Sequence, residues 1–217
     1  MKRPSYHHGN LANALTAAAT ELAREGGPDA VVLREAARQV GVSPTAAYRH
    51  FAGHGDLMHA VKTHAAAQLA ASMRAEIAKT EPEPDPQAEA VRRLQALGQG
   101  YLRFALDEPG LFRTAFCRPS ELTPANGPNA DALPPGPEFD VSLVDPHQML
   151  VECIDALVTV GLMSPQRRPW AETFAWSSVH GLAMLLLDGP LRHRPPEEQQ
   201  QIIARVIDGV GHGLVAP

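Results

Sequence analysis

Residues 32–57, VLREAARQVGVSPTAAYRHFAGHGDL, carry the strongest structural signal in the chain because they describe two short helices joined by a tight turn. The first helix has an apolar stripe at i, i+3, i+4 and i+7, formed by Leu33, Ala36, Ala37 and Val40. Gly41 follows at once, where a left-handed backbone ends a helix without a Cβ clash. A second helix is then expected to begin after a good N-cap residue, with proline at its first position.

Ser43 is the N-cap residue of the second helix, and Pro44 occupies its first position. Ala47, Tyr48 and Phe51 continue this helix. Two helices joined by a short turn that contains glycine form a helix-turn-helix, whose second helix enters the DNA major groove. An ordinary corner between two helices has the same spacing. The spacing alone therefore leaves both interpretations open.

The stretch resembles the DNA-binding domain of the TetR family of one-component bacterial regulators. In that family a helix ends in A-x-x-x-G-V-S and the next reads x-x-x-Y-x-H-F. The matching residues are Ala37, Gly41, Val42, Ser43, Tyr48, His50 and Phe51, followed by Leu57. Residues 6–27 resemble the first helix of the family, with an apolar face of Leu11, Leu15, Ala18, Ala19 and Leu22. Several spaced positions that match together are more specific than a lone glycine motif.

Composition is ordinary for a globular protein, with 44% hydrophobic and 20% charged residues. The two cysteines predict neither a disulfide framework nor a zinc site. The sequence lacks an apolar run of about 18 residues and a signal-peptide core, so we expect a cytoplasmic protein with no membrane partner. It also lacks the motifs of hydrolases, nucleotide-binding loops and zinc proteases, so we predict no enzyme activity, no cofactor and no metal.

The net charge of −5 argues against a protein that coats nucleic acid by bulk charge. Residues 1–60 contain six basic and five acidic side chains and so carry +1, which leaves −6 for the remainder. The sign of this asymmetry suits a DNA-binding amino-terminal domain, although its size is small.

The apolar periodicity is helical throughout and predicts an all-α protein of about nine helices. We expect them near 8–25, 33–40, 44–50, 54–79, 86–106, 109–117, 146–162, 168–188 and 196–214. The prediction divides the chain into a helix-turn-helix domain at 1–53 and a helical effector-binding and dimerisation domain at 54–217. Proline-rich residues 118–145 predict a long irregular loop.

The last two helices predict assembly. Residues 173–189 are apolar nearly all round, and residues 199–215 carry a stripe that includes Ile203 and Val206. One monomer can bury one such helix, so burying both suggests a partner. The TetR resemblance implies a homodimer in which these helices form a four-helix bundle. Trp176 and His180-Gly181 further resemble the WHG-type carboxy-terminal domain of one branch of the family.

The resemblance also implies the DNA contacts. It places a set of residues at or near double-stranded operator DNA, expected as an inverted repeat: Arg34, Ser43, Pro44, Thr45, Ala46, Tyr48, Arg49, His50 and His54. Thr45 suits a base edge, whereas Tyr48 and His50 suit phosphates. A core aromatic role for Tyr48 stays open at this stage, because amphipathic rings often bury their body.

His54 departs from the family, which commonly has a lysine at the start of the fourth helix. A neutral histidine donates one hydrogen bond and gains charge only near or below neutral pH. The departure puts the strength of DNA binding in doubt. Metal binding by His50, His54 and His59 is an alternative, but no carboxylate or cysteine completes a set.

An effector pocket is expected between helices of the second domain, with apolar walls and few polar groups. The candidate residues are Tyr101, Phe104, Leu111, Phe112, Phe116, Cys153, Leu157, Trp176 and His180. Plain core packing is the alternative for each of them. His180 stands out as a polar ring on an otherwise apolar helix.

Together these features predict a DNA-binding transcriptional regulator, specifically a repressor that a small-molecule effector releases from its operator. The alternative is a helical small-molecule-binding or scaffold dimer that binds DNA weakly or not at all. The near-neutral amino-terminal segment and His54 motivate that alternative.

Overall fold

The structure, a computed structural model, describes residues 8–117 and 144–215, and in these two ranges it is helical, with no strand. The helices there are α1 (His8–Gly26), α2 (Leu33–Val40), α3 (Pro44–Ala47), α4 (His54–Ala78), α5 (Pro86–Asp107), α6 (Pro109–Phe116), α7 (Val144–Thr159), α8 (Ala171–Leu187) and α9 (Pro196–Val215). The predicted all-α class and the number of helices are confirmed. The predicted loop at 118–145 lies outside the described residues up to position 143.

Three helices have a bound that differs by three residues from the one the sequence predicted. Helix α3 ends at Ala47 rather than residue 50, and single turns continue to Phe51. Helix α7 ends at Thr159 because Gly161 adopts a left-handed conformation with φ 75°. Helix α8 begins at Ala171 rather than 168, since the preceding Trp170 also has a positive φ of 66°. Apolar periodicity gives no information about such a change of backbone direction.

The contacts divide the chain into two compact units. The first comprises Met1–Ala66 and Glu108–Leu143, of which the structure describes residues 8–66 and 108–117. The second comprises Ala67–Asp107 and Val144–Pro217. The division differs from the predicted boundary after residue 53, because α6 and the first half of α4 belong with the amino-terminal helices.

In the first unit, α1 packs against α2 and α6. Gly110, in the first turn of α6, lies directly against the end of α1. A Cβ added there would lie 2.3 Å from the carbonyl oxygens of Ala23 and Arg24. Beside this contact the Arg24 guanidinium Nε donates to Glu108 Oε2 over 2.7 Å. The close approach requires glycine and fixes α6 on α1.

Lys62 on α4 is buried in the same unit, and its ammonium Nζ donates to the carbonyl oxygen of Cys117 over 3.0 Å. Cys117 is the residue that ends α6. A cation at the carboxyl end of a helix is favoured by the helix dipole and by the carbonyl groups left without intrahelical donors. Lys62 thus ties α4 to the end of α6.

In the second unit, α5 packs against α7, α8 and α9. Gly100 on α5 meets the backbone of α4, where an added Cβ would lie 2.5 Å from Met73 Cα. Ser72 Oγ donates to the carbonyl oxygen of Gly100 over 2.9 Å. These contacts place α5 at the centre of the unit, with Tyr101 next to Gly100.

Candidate nucleic-acid interface and effector site

The turn between α2 and α3 has the geometry that its residues predict. Gly41 has φ 77° and ψ 30°, and its N–H donates to the carbonyls at the end of α2. Val42 N–H donates to Ala37 O over 3.0 Å, which satisfies a further carbonyl. Ser43 Oγ accepts from Ala46 N–H over 3.2 Å, and Pro44 takes the first helical position. The two helices are therefore joined by three residues.

Helix α3 has one buried and one exposed side. Ala47 and, beyond the helix, Phe51 are buried. Tyr48 is 46% exposed, so the core role considered for it is wrong. Pro44, Thr45 and Arg49 are also exposed, while Ala46, His50 and His54 are half-buried.

Arg34, on the exposed side of α2, is also open to solvent. Its neighbour Arg38 donates from Nε to both carboxylate oxygens of Glu35 at 2.9 and 3.1 Å, and this contact lowers the pKa of Glu35. The two charges largely offset each other. Ser43 is exposed as well, but its hydroxyl already caps α3.

The second unit contains a polar network between α5 and α8. Tyr101 Oη lies 2.8 Å from His180 Nδ1, and Trp176 Nε1 donates to the same Tyr101 oxygen over 3.3 Å. The His147 ring on α7 meets the Trp176 ring edge-on at 6.4 Å between centroids. Burial raises the pKa of Tyr101 and lowers that of His180. The network is therefore a set of uncharged hydrogen-bonding groups in apolar surroundings.

Of the other predicted pocket residues, Phe104, Cys153 and Leu157 are buried in the second unit. Burial raises the pKa of the Cys153 thiol to about 11, which keeps it protonated. Trp176 and His180 are half-buried. These last two therefore remain accessible in part, whereas the first three pack as core.

Phe112 and Phe116 lie in a different unit from this group. Both belong to the first unit, as does Leu111, and Leu111 and Phe112 are completely buried. The rings of Phe112 and Phe116 pack together with centroids 4.8 Å apart. The prediction placed them in the second domain because the apolar pattern of α6 does not indicate that this helix packs on α1.

Protein-family models match both the amino-terminal and the carboxy-terminal part of this chain. The family model described as "Bacterial regulatory proteins, tetR family" matches residues 15–61, and "Tetracyclin repressor-like, C-terminal domain" matches residues 94–210. The chain belongs to the TetR family. It is a DNA-binding transcriptional regulator of the helix-turn-helix type, and the exposed face of α3 belongs to the matched amino-terminal segment.

Solved structures share the fold of this TetR-family protein. A protein of unknown function from Rhodococcus sp. RHA1 has a TM-score of 0.72 at 24% identity, covering 98% of this chain and 100% of its own. A TetR family transcription regulator from Marinobacter aquaeolei VT8 has a TM-score of 0.63 at 16% identity, with coverages of 93% and 96%. A bacterial regulatory protein in the tetR family from Rhodococcus RHA1 gives 0.59 at 20% identity, with coverages of 94% and 96%. No curated protein matches the sequence.

Two features of this TetR-family protein lie outside what sequence patterns could indicate. The Tyr101–His180 bond joins residues 79 positions apart. The contact of His147 with Trp176 also depends on how two helices pack.

Among residues 8–117 and 144–215 no group of three or more histidine, cysteine, aspartate and glutamate side chains is placed to hold a metal ion. None of the described helices is both long and apolar enough to cross a membrane.

Proposed function

We propose that this TetR-family protein is a homodimeric repressor that binds an inverted-repeat operator and releases it when a small molecule binds the second unit. The exposed face of α3 is the observation that supports DNA binding. Thr45, Tyr48 and Arg49 point to solvent while Ala47 and Phe51 hold the helix on the core. A protein that acts on genomic DNA in a bacterium works in the cytoplasm.

The exposed groups suit distinct roles at DNA. Thr45 offers a hydroxyl and a methyl group to base edges, and Ala46 offers apolar contact to a thymine methyl. Tyr48 and His50 donate to phosphates, which position the domain without reading sequence. Arg34 and Arg49 suit phosphate or guanine. Pro44 and Ser43 bring the start of α3 close to the groove, and His54 lies at the start of α4.

The network of Tyr101, Trp176 and His180 supports the effector half of the proposal. Small-molecule sites are mainly apolar with a few fixed polar groups, and this network supplies such groups among apolar neighbours. A ligand that contacts Trp176 and His180 would be held on α8, next to the hydrogen bonds that join these two residues to Tyr101 of α5. The ligand would shift the population of dimers towards a conformation whose two recognition helices no longer match successive major grooves. The dimer would then leave its operator.

The alternative function is a small-molecule-binding or scaffold dimer with weak or no DNA binding. One observation favours it: Arg38 is paired with Glu35, so the basic charge next to α3 is smaller than the count of arginines indicates. Duplex binding in a salt titration separates the two functions, because phosphate contacts give a steep salt dependence.

The test is selection of binding sites from a pool of randomised duplex DNA with the purified protein. A repressor of this type should enrich an inverted repeat whose half-sites lie about one helical turn, or 10 base pairs, apart. Tyr48→Ala and Arg49→Ala should bind the selected duplex at least about tenfold more weakly while the fold is unchanged. Arg192→Ala, an exposed arginine of the second unit, is the matched control.

Enrichment of no sequence, together with a shallow salt dependence, would favour the scaffold alternative. If Tyr48→Ala and His50→Ala both bind like the unmodified protein, α3 is not the recognition helix. The effector half is tested separately by thermal-shift screening of a metabolite collection, with Tyr101→Phe as the comparison.

A further inference from the structure

Four aromatic rings from three helices lie together in the second unit. This ring cluster consists of Tyr101 on α5, His147 on α7, and Trp176 and His180 on α8. Neighbouring rings meet edge-on, with centroids 6.3–6.4 Å apart and planes inclined by 65–69°. Tyr101 is buried, whereas the other three rings are half-buried. The cluster therefore leaves part of three ring surfaces accessible to an aromatic ligand, which packs well against such rings.

The surroundings of the ring cluster carry no charge that acts on its buried groups. Burial is the cause that lowers the pKa of His180, and no charged side chain of residues 8–117 and 144–215 contributes. Burial also raises the pKa of Tyr101, opposed only by the hydrogen bond from Trp176. In both cases the low polarity around the ring, and not an ion, determines the direction of the shift.

A ligand with a net charge would find no counter-ion on α8. An ion that leaves water for apolar surroundings needs an opposite charge or several hydrogen bonds. Between Ala171 and Leu187 the sequence contains no lysine or arginine, and its one carboxylate is Glu172. Arg168 Nη1 already donates to Glu172 Oε2 over 2.6 Å. This helix therefore favours an uncharged ligand.

An anionic ligand would gain a counter-ion if His180 took up a proton, but the hydrogen bonds of the cluster oppose this. The indole Nε1 of Trp176 can only donate, so Tyr101 Oη accepts from it over 3.3 Å. Neutral His180 accepts the Tyr101 hydrogen at Nδ1, over 2.8 Å between the heavy atoms. A protonated imidazole has no accepting nitrogen, so the Tyr101 hydrogen would have to turn away from His180. The cluster thus stabilises the neutral ring.

The same bonds determine which hydrogen-bonding group a ligand needs. Because Nδ1 of His180 accepts, the proton of the neutral ring is on Nε2, and that nitrogen can only donate. Both half-buried rings that α8 contributes therefore present N–H donors. A ligand with an acceptor complements them, whereas a ligand with donors alone sets donor against donor and leaves polar groups unsatisfied.

We propose that the effector is an uncharged aromatic molecule with a hydrogen-bond acceptor such as a carbonyl group, which accepts from Nε2 of His180 while its ring packs against Trp176. This ligand class rests on the effector half of the proposed function and adds the chemistry that the second unit recognises. Mainly apolar sites with a few fixed polar groups select their ligands in this way.

The experiment compares four naphthalenes that carry different substituents at the same ring position. Acetylnaphthalene is uncharged with an acceptor, ethylnaphthalene has nearly the same shape without one, naphthoate is an anion and naphthylmethylammonium is a cation. Each is titrated calorimetrically into the full-length protein at about pH 7.5, where both ionisable probes are charged. This comparison on the unmodified protein does not depend on the folding of any variant.

Two variants then test the role assigned to His180. His180→Asn retains an acceptor for Tyr101 but lacks a donor at the position of Nε2. His193→Asn makes the same change at an exposed histidine of the second unit and is the matched control. Circular dichroism establishes that both variants are folded.

We expect acetylnaphthalene to bind at least about tenfold more tightly than the other three probes, since it alone satisfies the donor without adding a charge. His180→Asn should lose the preference for acetylnaphthalene over ethylnaphthalene, and His193→Asn should keep it. Equal or tighter binding of naphthoate or naphthylmethylammonium would overturn the uncharged class. Binding of none of the four would overturn the aromatic class, and an unchanged preference in His180→Asn would overturn the role of Nε2.

Release of the selected duplex is measured separately, by fluorescence anisotropy with the same probes. A probe that binds with the expected pattern but leaves the duplex bound would contradict effector release in the proposed function. The calorimetric pattern would in that case still support recognition of this ligand class by the ring cluster. The two failures are therefore distinguishable.

Discussion

Tyr101 on α5 and His180 on α8 share a hydrogen bond of 2.8 Å between Oη and Nδ1 in the second unit. The indole Nε1 of Trp176 can only donate, so the Tyr101 oxygen accepts there. Burial lowers the pKa of His180 and thereby favours its neutral ring. In the arrangement that satisfies all three groups, Tyr101 donates to Nδ1 and the His180 proton sits on Nε2.

The first prediction concerns pH and stability. The pKa of His180 is lower in the folded protein than the value of about 6.5 expected in an unfolded chain. Between those two values the unfolded chain binds more protons, so the free energy of unfolding falls as pH drops below about 6.5. His180→Asn stays uncharged and can still accept from Tyr101, and it should lose less stability than the unmodified protein between about pH 8 and pH 5.5.

Urea unfolding of both proteins at several pH values measures the difference. The other histidines are present in both proteins, so their contributions cancel in the comparison. Carboxylates titrate mainly below this range. Equal pH dependence in the two proteins would show that His180 titrates alike in its folded and unfolded states.

The second prediction concerns the contact between α1 and α6. Gly110→Ala places a Cβ 2.3 Å from the carbonyl oxygens of Ala23 and Arg24, which are backbone atoms that cannot rotate away. We expect a loss of about 1–3 kcal/mol in the free energy of unfolding, the usual range for overpacking. Chemical denaturation monitored by circular dichroism gives the value.

Gly55→Ala is the matched control for that variant. Gly55 also lies in a helix of the first unit, but an added Cβ there has nothing within 4 Å. Alanine is the better helix former, so this variant should be as stable as the unmodified protein or more so. Equal stability of the two variants would mean that α6 can move away from α1 at no cost.

The sequence predicted the fold largely through local signals. Gly41, Ser43 and Pro44 each have a conformational or capping preference that acts within a few residues, and the bounds of α2 and the start of α3 follow from them. Position 170 shows the limit of this reasoning. A tryptophan gives no local indication of a positive φ, so the start of α8 was predicted three residues too early.

The candidate effector site was less predictable than the fold. His180 was recognised as a polar ring on an apolar helix, but its partner Tyr101 is far away in sequence. Phe112 and Phe116 were grouped with it because aromatic residues at helical spacing look alike in any core. Which aromatic faces which helix depends on close approaches such as those at Gly100 and Gly110, and periodicity carries no information about them.

The third prediction tests the homodimer proposed above through the apolar stripe of α9, which includes Ile203 and Val206. Val206→Glu places a carboxylate on the half-buried surface proposed to meet the second copy, where an unpaired charge is costly. We expect dimer dissociation to become easier by at least about tenfold, equivalent to about 1.4 kcal/mol. Ile203→Glu should act in the same direction. Ala204→Glu, exposed on the polar side of α9, should leave the sedimentation of the protein unchanged.

The last prediction concerns His54, which begins α4 and is half-buried close to the recognition helix. If His54 lies at a phosphate, His54→Lys places an ammonium charge next to that phosphate. The variant should bind the selected duplex more tightly at about pH 8, and the slope of log K against log salt should steepen by about 0.9, the value for one phosphate contact. His59→Lys, exposed further along α4, is the control for charge alone. If both lysine variants steepen the slope equally, the effect is general attraction, and His54 is simply a solvated residue at a helix start.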